Sequence, residues 1–527
     1  MKISNVPNSV REVIEQNDSM HTYLVNLSKG KLPTERSWLY ENVKDPDQIL
    51  KSWLSILSSL ENGSEYERNV FQFDTSQIEK WGYQGGVAPI DDLLADIVLP
   101  TFSSSKVEME AEQTFANSAK WETALSAAKQ YLGHISRVNP VSYRSVVDDM
   151  RARDTLESNS GFPLFARRKL PEVVQQSITA AINQDYYDYP AIALFRNYNQ
   201  KTRLVWMFPM ATNLVEGSFM QPLQSTIIKA KLPFFAPWEG FASVKRMITE
   251  AYDSGKYIAA SDFSSTDAHM RWPMTHQAGI VLSTCLVNTE PVVRKFADSL
   301  KWMHQIPLLI GVDRMIVGDH GVSSGSNWTN FIETVFDLIF AEYVRQFTSY
   351  SGLYAIGDDM CWISDSYDER FATSLEKLGR RVGQQVKAEK TTNDPDKVKT
   401  LQRLFQRGYK DPSGQVRGVY STVRALKSSV FPEKFHDKRK WNSDMFCARQ
   451  YMILENCVDH PLFREFVQFV VKGQKDLIPF AKYSPSKLNV ITRQSKLLPG
   501  LNPTYNQEKR DQSLADFESI AIARTLS

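Results

Sequence analysis

Residues 354–363, YAIGDDMCWI, place two adjacent carboxylates, Asp358 and Asp359, between two apolar runs that each read as a buried strand. Two unit charges about 4 Å apart repel by roughly 1 kcal/mol in water and about 4 kcal/mol near a protein surface. No fold gains from that repulsion unless something cationic relieves it. The stretch therefore points to an architecture that brings positive charge to a hairpin tip. Residues 353–356 and 360–363 are β-prone, and Gly357 supplies the positive φ that a tight turn between them needs. A G-D-D turn at a solvated hairpin tip is common, however, and alone it carries no function.

A second strand changes the reading. In KYIAASDFSSTDAHM, residues 257–260 read as a buried strand with Asp262 at its C-terminal end and Asp267 five residues later. Carboxylates at strand ends, in the crevice of an α/β sheet, lie where ligands bind. If Asp262 and Asp358 stand side by side on neighbouring strands, they can hold two divalent cations about 3.5 to 4 Å apart. Hard oxygen donors suit Mg²⁺, with Mn²⁺ as the alternative. Between the two strands lies GDHGVSSGSNWTNFIETVFD, a Gly/Ser loop feeding an apolar-periodic helix from about Trp328. Such a loop can approach a sugar-phosphate backbone and donate backbone N–H groups, although many are plain helix caps.

Composition limits the rest. A chain of 527 residues, 42% hydrophobic and 23% charged, is ordinary globular protein with room for two to four subdomains, and it is neither disordered nor fibrous. Its formal charge is only +2, so any nucleic-acid surface must be local. Four scattered cysteines, none in a C-x-x-C, argue against a zinc site or disulfide framework and for a reducing compartment. The start has no signal-like apolar core and no 18-residue apolar run occurs, so a soluble chain with no membrane partner is expected.

Along the chain, residues 1–100 show nothing chemical, and residues 115–150 contain a helical pattern followed by a Pro break. The middle third alternates strand-like and helical segments, which predicts a mixed α/β core. Beyond residue 440 a helical bundle is expected, with Ser443 as an N-cap and a second helix opened by Pro461 and closed by Gly473. The last 35 or so residues carry Pro499 and Pro503 with little periodicity and predict an extended tail.

The order D-x4-D, S-G-x3-T, G-D-D resembles the palm of viral RNA-dependent RNA polymerases. The wording G-V-x-S-G-S and D-F-S-S-T-D is most similar to that of small bisegmented double-stranded RNA viruses, picobirnaviruses first and partitiviruses second. The resemblance implies an α/β (α+β) right-hand fold with fingers, a palm built on an antiparallel sheet flanked by helices as in an RNA-recognition-motif fold, and a helical thumb. It divides the chain into an N-terminal extension bridging fingers and thumb (1–100), fingers (101–225), a first palm part (226–271), a fingers insertion (272–312), a second palm part (313–410), thumb (411–490) and tail (491–527).

The same resemblance implies residue roles. Asp262 and Asp358 would be the principal metal ligands with Asp359 in support, Asp267 would probe the 2′-hydroxyl of the incoming ribonucleotide, and Ser324, Gly325 and Thr329 would guide template and sugar. Arg196, Lys201 and Arg203 would clamp the triphosphate. Ser158, Ser160 and Gly161 would pass the template backbone, with Phe162 and Pro163 anchoring the turn. Lys390, preferred over Lys387, would protonate pyrophosphate. One departure stands out: many relatives carry Asn four residues after the Thr, where this chain has Glu333, with Asn327 or Asn330 as substitutes.

Residues 397–427 add support of their own, since eight basic residues stand there against one acid, Asp411. With Phe405, Tyr409 and Tyr420 interleaved, this strip suits tracking of an RNA backbone, and Arg403, Arg407 and Lys410 are the contacts it suggests. The function expected is replication and transcription of a double-stranded RNA genome. Its partners would be RNA template and product, ribonucleoside triphosphates and the viral capsid protein, in the virion interior and host cytoplasm. Two other readings compete. A reverse transcriptase shares this palm, but usually has Met or Val where Gly357 stands and is followed by an RNase H region. A dead polymerase fold that merely binds RNA has no reason to keep clustered repulsive acids. The tail is expected to fold back toward the product exit and gate primer-independent initiation.

Overall fold

Alternation along four strands builds the central sheet. The computed structural model describes residues 2–30, 34, 45–103, 106–433, 439, 441–498, 501 and 512–527. The hairpin Ser351–Ile356 and Asp359–Ser364 pairs through its second strand with Tyr257–Asp262, and Thr392–Asn393 closes the far edge, all antiparallel. Side chains on successive residues point to opposite faces. Ile258, Ala260, Tyr354 and Cys361 therefore pack with Val244, Ile248, Ala251 and Tyr252 of the helix Phe241–Asp253. Ala259, Ala355, Met360 and Trp362 join the largest apolar cluster, which contains the helix Trp328–Val344. That helix is apolar on nearly every side, as a helix buried beneath a sheet must be. Burial of one such side chain, Trp362 for example, stabilises the sheet by roughly 1.5–3 kcal/mol.

A second, five-stranded sheet is ordered Lys2–Asn5, Arg314–Val317, Leu308–Leu309, Ala191–Tyr198, Lys201–Met207. Its last two strands form a hairpin whose turn residues, Asn199 and Gln200, both have positive φ, as a two-residue turn of that hand requires. A third sheet, Lys397–Thr400, Arg403–Gln406 and Val419–Tyr420, leads into a helical cluster. There Ser443–Glu455, Phe463–Val471, Leu477–Ala481 and Pro485–Lys496 share one core. The N-terminal helix Pro46–Leu57 inserts Ile49, Leu50 and Trp53 into that core, and Trp53 Nε1 donates to Thr422 Oγ1 at 2.8 Å. The N-terminal segment thus touches the five-stranded sheet at one end and the helical cluster at the other. Among the described residues no helix is long and apolar enough to cross a membrane.

Three local expectations need correction. Asn442, not Ser443, caps the helix Ser443–Glu455, accepting from the Met445 amide at 3.0 Å, while Ser443 donates its hydroxyl to Asp476. Pro461 stands two residues before the helix Phe463–Val471 rather than in its first turn. The C-terminal segment is not an extended tail: Glu518–Arg524 is a helix whose Ile520 and Ala523 are buried in the helical cluster. The Glu455 carboxylate accepts from the Glu518 and Ser519 amides at 3.0 Å and satisfies the helix start. Residues 514–526 therefore pack on the helical cluster instead of reaching back to the crevice. Pro499 and Pro503 lie outside the described residues.

Candidate active site

The register of the central sheet sets the acids. Asp262 pairs directly with Asp359 across two antiparallel strands, and Ile356 pairs with Asp359 across the hairpin. The Phe263 amide donates to the Asp358 carbonyl at 3.1 Å, so the end of one strand is tied to the turn of the other. Gly357 turns the chain with φ +59°. Acids nearly a hundred residues apart in sequence thus share one crevice. Thr266 Oγ1 donates to Asp358 Oδ2 at 3.4 Å.

Burial raises the pKa of Asp358, with Asp262 and Asp267 adding repulsion, and it raises that of Asp359 with Asp358 and Asp262 adding to it. Asp267 is raised by burial, and the Arg203 guanidinium partly offsets this. Beneath them the helix Trp328–Val344 brings Glu333 and Asp337, one turn apart, both held well above the usual carboxylate range by burial and then by the neighbouring acids. Asp337 is fully buried, with no hydrogen-bond partner on either carboxylate oxygen. Among the described residues no three His, Cys, Asp or Glu side chains already gather closely enough to hold a metal ion. The donor set, carboxylate oxygens crowded against their own repulsion, still fits a hard divalent cation.

A repulsive pair of the opposite sign lies on the five-stranded sheet, and one member, Arg203, is near enough to Asp267 and Asp358 to oppose the rise in their pKa. Arg196 and Arg203 sit directly opposite each other on the hairpin of the five-stranded sheet, with Lys201 opposite Tyr198. Like charges in that position destabilise a sheet. Both guanidinium groups lie over the Tyr198 ring, at 5.4 and 6.0 Å, and Arg424 lies over it at 5.8 Å. Glu433 takes Arg196 in a bidentate pair at 2.7 and 2.9 Å, whereas Lys201 and Arg203 are exposed.

The Gly/Ser loop is bonded in from several sides. Ser324 Oγ accepts from the Trp206 amide at 3.2 Å. Gly325 lies so close that an added Cβ would sit 1.7 Å from the Trp206 carbonyl oxygen. Thr329 Oγ1 donates to the Ser323 carbonyl at 2.5 Å and so spends its hydroxyl within the loop. Ser160 is likewise buried, its hydroxyl accepting from the Ala166 amide at 3.2 Å, while Ser158 is exposed and the Gly161 amide donates to Asn159 Oδ1 at 2.8 Å. Lys390 is exposed at the end of the turn Ala388–Lys390, beside the edge strand that pairs with Ala259 and Ala260.

The basic strip departs from expectation. Arg403 is 6% exposed, donates to the Gly418 and Asn456 carbonyls at 3.2 and 2.9 Å, and lies 4.5 Å over the Phe241 ring, so its guanidinium faces the core and not a solvent groove. Arg407 donates to the carbonyls of Tyr252, Lys256 and Pro395 and pairs with Asp396, and Lys410 pairs with Asp253 at 2.8 Å. Composition gave their charge but not their direction. Sequence reasoning also missed Glu216 and Thr334. The one signal for Glu216 was that it is the single acid in the helix Met210–Lys229.

Residues 198–424 match the family model described as viral RNA-dependent RNA polymerase, a span that holds all three motifs. The fold and the family-model match are similar to those of viral RNA-dependent RNA polymerases of the right-hand type. Among these, the chain resembles the picobirnavirus polymerases. It is 26% identical over 481 residues to a potential RNA-dependent RNA polymerase of human picobirnavirus, covering 87% of this chain and 86% of that one. It is 28% identical over 183 residues, 33% of each chain, to an RNA-directed RNA polymerase of Cryptosporidium parvum virus 1. The fold matches the crystal structure of a human picobirnavirus RNA-dependent RNA polymerase with a TM-score of 0.80 at 22% identity, over 98% of both chains. An insertion-loop deletion mutant of such a polymerase matches with a TM-score of 0.81 at 22% identity, over 99% of this chain and 100% of that one.

Proposed function

We propose that the chain replicates and transcribes a viral double-stranded RNA genome by joining ribonucleotides in the crevice between the paired acids and the Arg196–Arg203 hairpin. The observation that carries this reading is the opposition of two like-charged clusters, acids on the central sheet and arginines on the five-stranded sheet. Each is costly alone, and each is relieved by one half of a cation–triphosphate complex. Asp262, Asp358 and Asp359 are the residues to hold two Mg²⁺ ions, or Mn²⁺, which when bound activate an attacking 3′-hydroxyl and stabilise the departing pyrophosphate.

Lys201 and Arg203 neutralise charge that develops on the triphosphate, and Arg196 joins them once released from Glu433. Lys390 holds the proton that pyrophosphate takes up. Asp267, with Glu333 in place of the usual Asn, reads the ribose. Ser324, Gly325 and Thr329 set the sugar and template path, and residues Ser158, Ser160 and Gly161 pass the template backbone. The same reading divides the chain into fingers, palm and thumb and sets the enzyme beside capsid protein in the virion interior and in host cytoplasm.

The test is extension of an RNA primer on an RNA template with NTPs and separately with dNTPs, in Mg²⁺ and in EDTA. Incorporation of NTPs alone, abolished by EDTA, supports the reading. Preferential use of dNTPs points to a reverse transcriptase, and binding of RNA without any synthesis points to an inactive fold.

A further inference from the structure

One buried carboxylate outside the acidic cluster ties together the two loops that the polymerase reading assigns to the template. Glu216, 1% exposed, accepts from Ser326 Oγ at 2.6 Å, from the Asn327 amide at 2.8 Å and from Asn213 Nδ2 at 3.1 Å. Ser326 Oγ in turn accepts from the Trp328 amide at 3.1 Å. A helix start leaves its first amides without partners and favours negative charge, so Glu216 supplies from a different helix the cap that Trp328–Val344 does not carry on its own Asn327 side chain. On its other side Asn213 Oδ1 accepts from Arg168 Nη2 at 2.8 Å, and Arg168 Nε donates to the Asn159 carbonyl at 3.0 Å. The path runs from the loop at Asn159 and Ser160, through Arg168, Asn213 and Glu216, to the Gly/Ser loop.

Such an arrangement is expensive to leave half-made. A buried carboxylate needs every partner it has, and a missing one costs the desolvation of what remains. Asn213 Nδ2 also donates to the Gly325 carbonyl at 3.1 Å, and Asn327 Nδ2 donates to the Asn213 carbonyl at 2.9 Å. The Gly/Ser loop therefore cannot move without breaking bonds to the helix Met210–Lys229.

We propose that Glu216 is a positioning residue that locks the Gly/Ser loop and the start of the Trp328–Val344 helix to the loop at Asn159 and Ser160, so that seating of the template and binding of the incoming nucleotide are coupled through one carboxylate. The inference rests on the polymerase reading.

Steady-state incorporation by wild type, Glu216→Ala, Glu216→Gln and Arg168→Ala, with melting temperatures recorded alongside, tests it. Glu216→Ala raises KM for the templated nucleotide about tenfold, the size that one lost buried hydrogen bond carries, with kcat changed far less. Glu216→Gln keeps the shape and one acceptor oxygen and restores most of that loss. Arg168→Ala raises the same KM, and adding it to Glu216→Ala gives less than the product of the two effects, as coupled residues do. Unchanged KM in Glu216→Ala, or a fall in kcat that merely follows melting temperature in every variant, overturns the role of Glu216. If Glu216→Ala does not fold, Glu216→Gln and Arg168→Ala decide alone: wild-type KM in both overturns it. A wild-type chain that incorporates nothing sinks the polymerase reading itself.

Discussion

The Gly357 amide donates to Thr334 Oγ1 at 2.8 Å, so the turn that carries the paired acids is bonded directly to the helix that follows the Gly/Ser loop. Thr334 is fully buried and its hydroxyl donates onward to the Asn330 carbonyl at 2.7 Å. Gly/Ser loop, helix and acidic turn are thus consecutive parts of one hydrogen-bonded body.

Thr334→Val keeps the shape of the side chain and leaves the Gly357 amide without a partner, at a cost of about 1–3 kcal/mol. Denaturant unfolding should show that loss, and primer extension should fall further than stability alone explains. Thr334→Ser should keep both near wild type. A valine variant with unchanged stability and activity would show that the bond is incidental.

Glu333 and Asp337 make stability depend on pH. Burial and the neighbouring acids raise both above their unfolded values, so each favours the fold while protonated. Their contribution is intact below the unfolded carboxylate pKa and is lost as pH rises through the raised folded value. His304 and His320, buried with pKa pushed down to about 3 and about 4, act in the opposite sense, since acid must charge them only on unfolding. They are common to wild type and Asp337→Asn and cancel in the comparison. Between pH 5 and 8 without divalent metal, the melting temperature of wild type should fall relative to that of Asp337→Asn. Parallel curves would remove Asp337 from the account.

How far each part was legible follows from where its determinants lie. The hairpin around Gly357, the strand ending at Asp262 and the helix at Trp328 are written in local apolar patterning, and each formed within a residue or two of expectation. The helix Glu518–Arg524 was not legible, because its seven residues are stabilised by contacts with distant helices and by Glu455. Arg403 shows the same limit for function: its charge is visible in sequence, but the Phe241 ring and the two carbonyls that hold it inside the fold come from distant segments.

That contrast makes a salt test. Arg403→Met should lower stability by about 1–3 kcal/mol through the carbonyls it strands, while the salt dependence of RNA affinity stays that of wild type. Arg203→Met should leave the fold near wild type and raise KM for nucleotide. A reduced salt slope, by about one unit of log affinity per log salt, in the Arg403 variant would return that residue to the RNA surface.

The central claim is that the acids of two neighbouring strands do the chemistry together. The substitution Asp358→Asn removes one charge from the pair without changing its volume. Extension of a labelled RNA primer by this variant in Mg²⁺ should vanish while RNA binding stays within about threefold of wild type, because the loss is confined to transition-state stabilisation. Primer extension by the Asp358→Asn variant at the wild-type rate would contradict the account.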